Sequence, residues 1–288
     1  MKISVSSYSF SQQIHAGKMT QLDCVAKAKE MGFDGIEFID IDGAGDLALQ
    51  KENARKIREE ADRVGIEINA YTIGANLFQP TPEAQKAEIE RLKGQVEVAA
   101  ILGAKVMRHD VCYSLGKTGA SRSFGLMLPT IAAGAREVSA YAETYGIKTC
   151  TENHGYIAQD SYRVEQLFNA VAHDNYGLLV DIGNFLCADE DPAMAVSRVA
   201  PYAVHVHLKD MLYRSAPTGA CRNMTRGGNY FCGTVVGEGD VPVKQCLRII
   251  RATGYDGFIS LEYEGSEDCL TGIARGLANV KKILEELQ

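Results

Sequence analysis

The 288-residue sequence predicts a closed (β/α)8 barrel forming a single domain over residues 1–288, on three observations. Short β-rich runs alternate with amphipathic helical stretches almost from end to end. Several helical stretches stop at a glycine, a residue suited to the left-handed position that closes a helix, and a new strand starts at once. No Pro-, Gly- or Ser-rich linker and no break in composition divides the chain, and α/β barrels commonly run to about 250 residues or more as one unit. An open sheet of βα units is the competing architecture. Its dinucleotide-binding form needs a glycine-rich phosphate cradle after the first strand, which the loop SYSFSQQIHAGKMT lacks. Arg226-Gly227-Gly228 and Gly237-Glu238-Gly239 are glycine-rich, but neither leads directly from a strand into a helix.

Along the chain, strand 3–8 opens the pattern, and helix 21–31 ends at Gly32 before strand 35–39. Helix 47–64 ends at Gly65 before strand 67–71, and helix 82–102 at Gly103 before strand 105–109. Helix 126–145 ends at Gly146 before strand 147–152. Helix 161–173 leads to strand 177–181, and helix 192–199 to strand 203–208. Helix 243–253 ends at Gly254 before strand 258–262, and helix 268–287 completes the eighth unit. The stretch 211–236 reads as a structureless loop of about 26 residues on the face where barrel chemistry collects. Such loops are commonly functional lids, and Arg214, Arg222 and Arg226 are candidates to meet a phosphate or carboxylate of a substrate; a solvated or partner-contacting excursion is the alternative.

With 46% hydrophobic and 23% charged residues, the chain reads as a globular protein with a large core. Its net charge of -7, with Lys and Arg scattered, argues against a nucleic-acid partner, which normally leaves a basic stripe. The N-terminal MKISVSSYSF has no long apolar segment, and no run approaches the roughly 20 apolar residues of a membrane span. The expected location is the cytoplasm, with no membrane partner. The eight cysteines form no CxxC pair and are expected to be small buried hydrophobes rather than disulfides or zinc ligands, with Cys221 and Cys232 as candidate reactive thiols in the loop.

The run HVHLKD at 205–210 focuses the functional question. Successive strand side chains point to opposite faces, so Val204, Val206 and Leu208 share an apolar face while His205, His207 and Lys209 share the other. In a parallel barrel the chemistry collects at the C-terminal strand ends. There the fifth strand offers Glu152, the sixth Asp181, the seventh His207 and the eighth Glu262, followed by Glu264. Three carboxylates together repel unless a cation sits among them, and oxygen ligands with one imidazole suit a divalent ion: Mn2+ foremost, with Mg2+, Co2+ or Zn2+ as alternatives. His205 lies one layer deeper and is expected to hydrogen-bond inside the barrel.

The motifs GFDGIEF (32–38), TENHG (151–155), VDIGNF (180–185), HVHLKD (205–210) and GYDGFISLEYEG (254–265) resemble the xylose isomerase-like (β/α)8 superfamily of sugar isomerases and epimerases. That superfamily includes ketose 3-epimerases, inosose dehydratases and hydroxypyruvate isomerases. The resemblance covers essentially the whole chain. It implies that Glu152, Asp181, His207 and Glu262 bind one divalent metal, and that Glu152 and Glu262 act as acid and base on either face of the reacting carbon. It also implies a small-molecule sugar or sugar-derived substrate and allows a homo-oligomer. The chain departs from the ketose 3-epimerase pattern at Asn184, where those enzymes have histidine, at Ala158, where they have a second glutamate, and at Tyr213, where they have arginine.

Proton abstraction beside a carbonyl needs a base at the carbon and a Lewis acid on the oxygens, requirements that a metal with carboxylates at its edge meets. The same apparatus serves isomerisation, epimerisation or β-elimination of water. Candidate substrate-binding residues are His109 at the end of the fourth strand, His154, Glu37, Lys209, Arg214 and Glu238, with Lys209 also able to hold a neighbouring carboxylate. The expected activity is a metal-dependent isomerase or epimerase of a sugar derivative, with a lyase or dehydratase on a keto-sugar or cyclitol as the alternative. An endonuclease on the same barrel would want more histidines than the six present and a basic face, and a non-catalytic sugar-binding barrel would not need the full ligand set.

Overall fold

The computed structural model describes residues 1–287 and places eight parallel strands in a closed barrel. In chain order the strands are β1 (Lys2–Ser6), β2 (Gly35–Ile39), β3 (Glu67–Ile73), β4 (Val106–His109), β5 (Lys148–Glu152), β6 (Tyr176–Asp181), β7 (Ala203–Leu208), β8 (Asp210–Arg214), β9 (Asn223–Met224), β10 (Tyr230–Thr234) and β11 (Phe258–Leu261). The ring runs β1-β11-β7-β6-β5-β4-β3-β2, closed by Ile3 beside Ile259 and Val5 beside Leu261. The (β/α)8 expectation is met.

The helices are α1 (Ser11–His15), α2 (Gln21–Met31), α3 (Leu47–Val64), α4 (Pro82–Leu102), α5 (Phe124–Glu143), α6 (Ser161–Val171), α7 (Pro192–Val199), α8 (Val243–Ala252) and α9 (Cys269–Glu286). Side chains of Thr20, Asp46, Thr81, Asp160, Asp191 and Asp268 accept from first-turn N–H groups and so fix where six of them start. Gly32, Gly65 and Gly103 close α2, α3 and α4 with φ of 86°, 68° and 77°, the left-handed geometry expected from the sequence. The main core lies between the helices and the outer barrel face, where Val25, Ile57, Leu92, Val96, Ile131, Leu167, Val196, Leu247 and Ile273 are buried.

Two expectations need correction. The segment 211–236 is not structureless, because β8, β10 and β9 form a three-stranded antiparallel sheet with Phe231 opposite Tyr213. Phe231 and Met211 pack with Cys187 in a small second core, which gives the excursion an apolar anchor. Cys221 and Cys232 are neither buried thiols nor reactive ones: they form a disulfide that ties the loop after β8 to β10. Cys24, Cys112, Cys150, Cys187, Cys246 and Cys269 are free and buried, as expected. The first strand also ends earlier than expected, since residues 7–10 turn into a 3-10 helix whose start is held by Ser6 Oγ accepting from Tyr8 N–H.

Candidate active site

The tips of β5, β6, β7 and β11 are consecutive in the ring, so residues far apart in sequence share one floor. Register places Asp181 and Ser260 beside His207 and Leu179 beside both Glu152 and His205, and Glu262 follows β11 by one residue, so the side chains converge from neighbouring rows of the four strands. His207 Nδ1 lies 3.6 Å from Glu152 Oε1, 3.9 Å from Asp181 Oδ2 and 3.8 Å from Glu262 Oε2. One ligand atom from each of the four lies within 4.8 Å of the others, and all four residues are buried.

Local structure aims these groups. Asp181 Oδ1 accepts from the backbone N–H groups of Gly183 and Asn184, which turns Oδ2 toward the cluster. Asn153 clips the strand tips together, donating to Asp181 O and accepting from Asp181 N–H, both at 2.9 Å. Gly183 is required by close approach, since a Cβ there would stand 2.6 Å from Lys209 O. Asn184 donates to Glu152 Oε1 at 2.9 Å and therefore holds that carboxylate in place.

Two cations enter the floor. Arg108 reaches Glu152 Oε2 at 2.6 Å and Asp110 Oδ1 at 3.1 Å, and donates to Ile73 O. Lys209 reaches Glu262 Oε2 at 2.6 Å, Glu264 Oε1 at 3.1 Å and Asp181 Oδ2 at 3.5 Å. Burial works against the charge on Glu152, but Arg108 and His207 outweigh it and hold the carboxyl well below its ordinary range. Burial likewise opposes the charge on Lys209, and its ring of carboxylates overcomes that and raises its ammonium. At Asp181 burial wins: reinforced by Glu152 and Glu262 and only partly offset by Lys209, it pushes the carboxyl up to about 7.

Beneath the floor, Glu37 bridges the two histidines of the HVHLKD run. Its Oε2 is 2.6 Å from His205 Nε2 and its Oε1 is 2.7 Å from His207 Nε2. Desolvation of Glu37 is outweighed by His207 and His205, which keep it ionised. His205 is thus the interior hydrogen-bonding residue that the sequence suggested.

Above the floor opens a cavity of about 310 Å³ lined by Arg108, Asp110, Glu152, His154, His207, Lys209, Glu262 and Glu264, with Tyr8, Asp40 and Tyr113 among the other lining residues. His154 and Lys209, two of the candidate substrate-binding residues, both line this cavity. His154 Nδ1 is 3.2 Å from Asp110 Oδ1; burial would lower its basicity, but that bond raises it. His109 does not reach the cavity: it is fully buried, its Nδ1 lies 2.9 Å from Asp110 O, and its ring sits near Tyr176. Strand alternation explains this, because β4 pairs Arg108 with inward-facing Thr72 and Cys150, so its neighbour His109 faces the helices. Glu37 lies under His207 rather than in the cavity. Arg214 pairs with Asp240 at 2.7 Å, and Glu238 pairs with Arg275 on the surface, so the structure brings neither to the site. Arg108 and Asp110 are site residues that sequence reasoning missed, and the signal was the parity of MRHD at 107–110.

The four-residue cluster fits a metal ion by its own chemistry. Asp181 Oδ2 and His207 Nδ1 are buried, face each other and have no hydrogen-bond partner among the described residues. Buried polar atoms without partners are costly, and a cation contacted by three carboxylates and one imidazole would satisfy both. His207 has the usual outer partner of a metal-binding histidine, a carboxylate on its other nitrogen.

Comparison with known proteins supports this architecture. The inosose dehydratase of Clostridium perfringens is 24% identical over 138 residues, 47% of this chain and 46% of that protein, so the chain spans about half the length of the first curated relatives it matches. The rhizopine catabolism protein MocC of Rhizobium meliloti is 25% identical over 256 residues, 84% of this chain and 74% of its own. The solved structure of the 3-keto-D-glucoside 4-epimerase YcjR from E. coli superposes with a TM-score of 0.71 at 16% identity, covering 98% of this chain and 99% of that one, a likeness of fold. No helix among the described residues is long and apolar enough to cross a membrane. The profile of the xylose isomerase-like TIM barrel matches residues 25–287, nearly the entire barrel just described, and the chain belongs to that family.

Proposed function

We propose that the chain is a divalent-metal-dependent isomerase or epimerase of a sugar or sugar derivative that works through an enediolate. The observation that carries this reading is the convergence of Glu152, Asp181, His207 and Glu262, with two buried candidate ligand atoms that make no hydrogen bond, at the floor of an open cavity. These four residues would hold the ion, which supplies Lewis acidity toward the oxygens of an enolising substrate. Glu152 and Glu262 are the base and acid at the reacting carbon. Arg108 keeps Glu152 ionised and so able to accept a proton, while Lys209 fixes the direction of Glu262. His154, held by Asp110 in the cavity wall, is placed to hydrogen-bond a substrate oxygen.

Dehydration of a keto-sugar or cyclitol is the second reading, and two observations favour it. Several of the curated relatives, matched over 46% of their own length, are inosose dehydratases. The raised basicity of His154 also keeps a proton available in the cavity wall, where a departing hydroxyl needs one. Tyr213, at the position where ketose 3-epimerases carry arginine, turns away and donates to Asp189 at 2.7 Å.

Incubation of the Mn2+-loaded chain with keto-sugars and ketocyclitols in D2O separates the readings. Deuterium gained at carbon with the skeleton intact supports isomerase or epimerase, and loss of water to an enone or diketone supports dehydratase. Absence of both across such compounds rejects enolisation as the activity.

A further inference from the structure

The cavity above the cluster carries a charge pattern that selects among sugar-like compounds. Asp40, Asp110, Glu152, Glu262 and Glu264 line it, and Asp181 lies in its floor. Against these six carboxylates stand two permanent cations, Arg108 and Lys209. Both are engaged: Arg108 with Glu152 and Asp110, Lys209 with Glu262 and Glu264. His154 is engaged with Asp110 and His207 with Glu37. A divalent ion in the floor still leaves negative charge in excess. A phosphate or carboxylate on a substrate is normally met by converging cations or free backbone N–H groups. None of the three arginines that the sequence offered for that purpose lines the cavity: Arg214 pairs with Asp240 and Arg226 with Asp160, each at 2.7 Å, and Arg222 donates to Gly219 O at 3.1 Å in its own loop.

Asp40 differs from the other carboxylates of the cavity. It follows β2 at the C-terminal end of the barrel and is the first of four non-glycine residues with positive φ, at 39°. Its backbone N–H donates to Thr72 O and its carbonyl accepts from Gln21 Nε2, whereas its side chain is exposed along the cavity wall and makes no hydrogen bond or ion pair among the described residues. An ionised carboxylate facing a cavity accepts charge-assisted bonds from several hydroxyl groups and repels an anion in the same place.

We infer that the cavity takes an uncharged, polyhydroxylated carbonyl compound, and that Asp40 is the specificity-determining acceptor that reads its hydroxyl groups and excludes phosphorylated or carboxylated analogues. This inference rests on the enolisation reading above. The Mn2+-loaded full chain is offered D-fructose, D-tagatose and 2-keto-myo-inositol beside D-fructose 6-phosphate, D-tagatose 6-phosphate and D-tagaturonate, with deuterium exchange at carbon followed by NMR. Exchange is expected in the uncharged set. Asp40→Asn keeps the size of the side chain and is tolerated at positive φ; on the best substrate it is expected to raise KM about tenfold or more with kcat little changed, by replacing a charged acceptor with a neutral one. Fastest exchange of an anionic compound, or an unchanged KM in Asp40→Asn, overturns the inference and leaves enolisation standing. Exchange of none of the six removes the enolisation reading and the inference with it.

Discussion

At the scale of single residues, the site depends on groups that never touch its cavity. Glu37 is fully buried and joins His205 to His207, so it fixes which nitrogen of His207 faces the floor. Glu37→Gln leaves the shape intact while removing the charge, and it is expected to weaken metal binding about 10- to 100-fold with an unchanged circular-dichroism spectrum; equal affinity would mean that the bridge only fills space. A second consequence concerns protons. Asp181, raised to about 7 mainly by burial, holds a proton below that pH, and His207, whose imidazolium is favoured by Glu37, Glu262 and Glu152 over the cost of burial, holds another. An entering cation must displace both, so affinity rises with pH, by about tenfold per unit for each proton released. Titration between pH 6 and 8 is expected to show affinity rising with pH, more steeply below about 7 where Asp181 still carries its proton, and a flat profile would contradict it. The metal-ligand candidates were legible because their types recur at four strand ends, and His205 because it sits one layer deeper. Arg108 was not, since the choice between it and His109 turns on one residue of strand parity at the end of β4. Asp40 lay beyond the end of its strand, where no periodicity applies.

At the scale of elements, the alternation of strands and helices was legible because each unit carries both its hydrophobic period and its stop. Helices α2, α3, α4 and α7 fall where the sequence placed them, and α5 starts two residues early, at Phe124, after Ser123 in extended geometry. The sheet of β8, β9 and β10 was not legible. Its strands are short, glycine and serine interrupt the segment, and its pairing is held by Phe231 and Met211 packing on Cys187 rather than by a long alternating face. The disulfide was equally hidden, because a spacing of 11 between Cys221 and Cys232 matches no short motif. Denatured, unreduced protein is expected to titrate six thiols of the eight cysteines, and eight only after reduction. Eight thiols before reduction would show that the pair is open. Gly233 of β10 packs directly on the backbone of Glu264, which in turn contacts Lys209, so this small sheet abuts the floor of the site.

At the scale of the whole molecule, the barrel brings together four groups spread over residues 152–262 by making β5, β6, β7 and β11 neighbours. The inner face of these strands carries charge that the core would otherwise reject, and Arg108 and Lys209 offset only part of it. An ion bound to all four tips would tie neighbouring strands together and stabilise the fold by mass action, about 2.7 kcal/mol at a hundred times its Kd. The account therefore stands or falls on one measurement, calorimetric titration of Mn2+ into the metal-stripped chain, repeated for Glu152→Gln, His207→Asn and Glu262→Gln. It predicts a single tight site in the parent chain, weakened in all three variants. No binding, or binding indifferent to the three substitutions, would contradict it and reduce the cluster to a set of buried ion pairs.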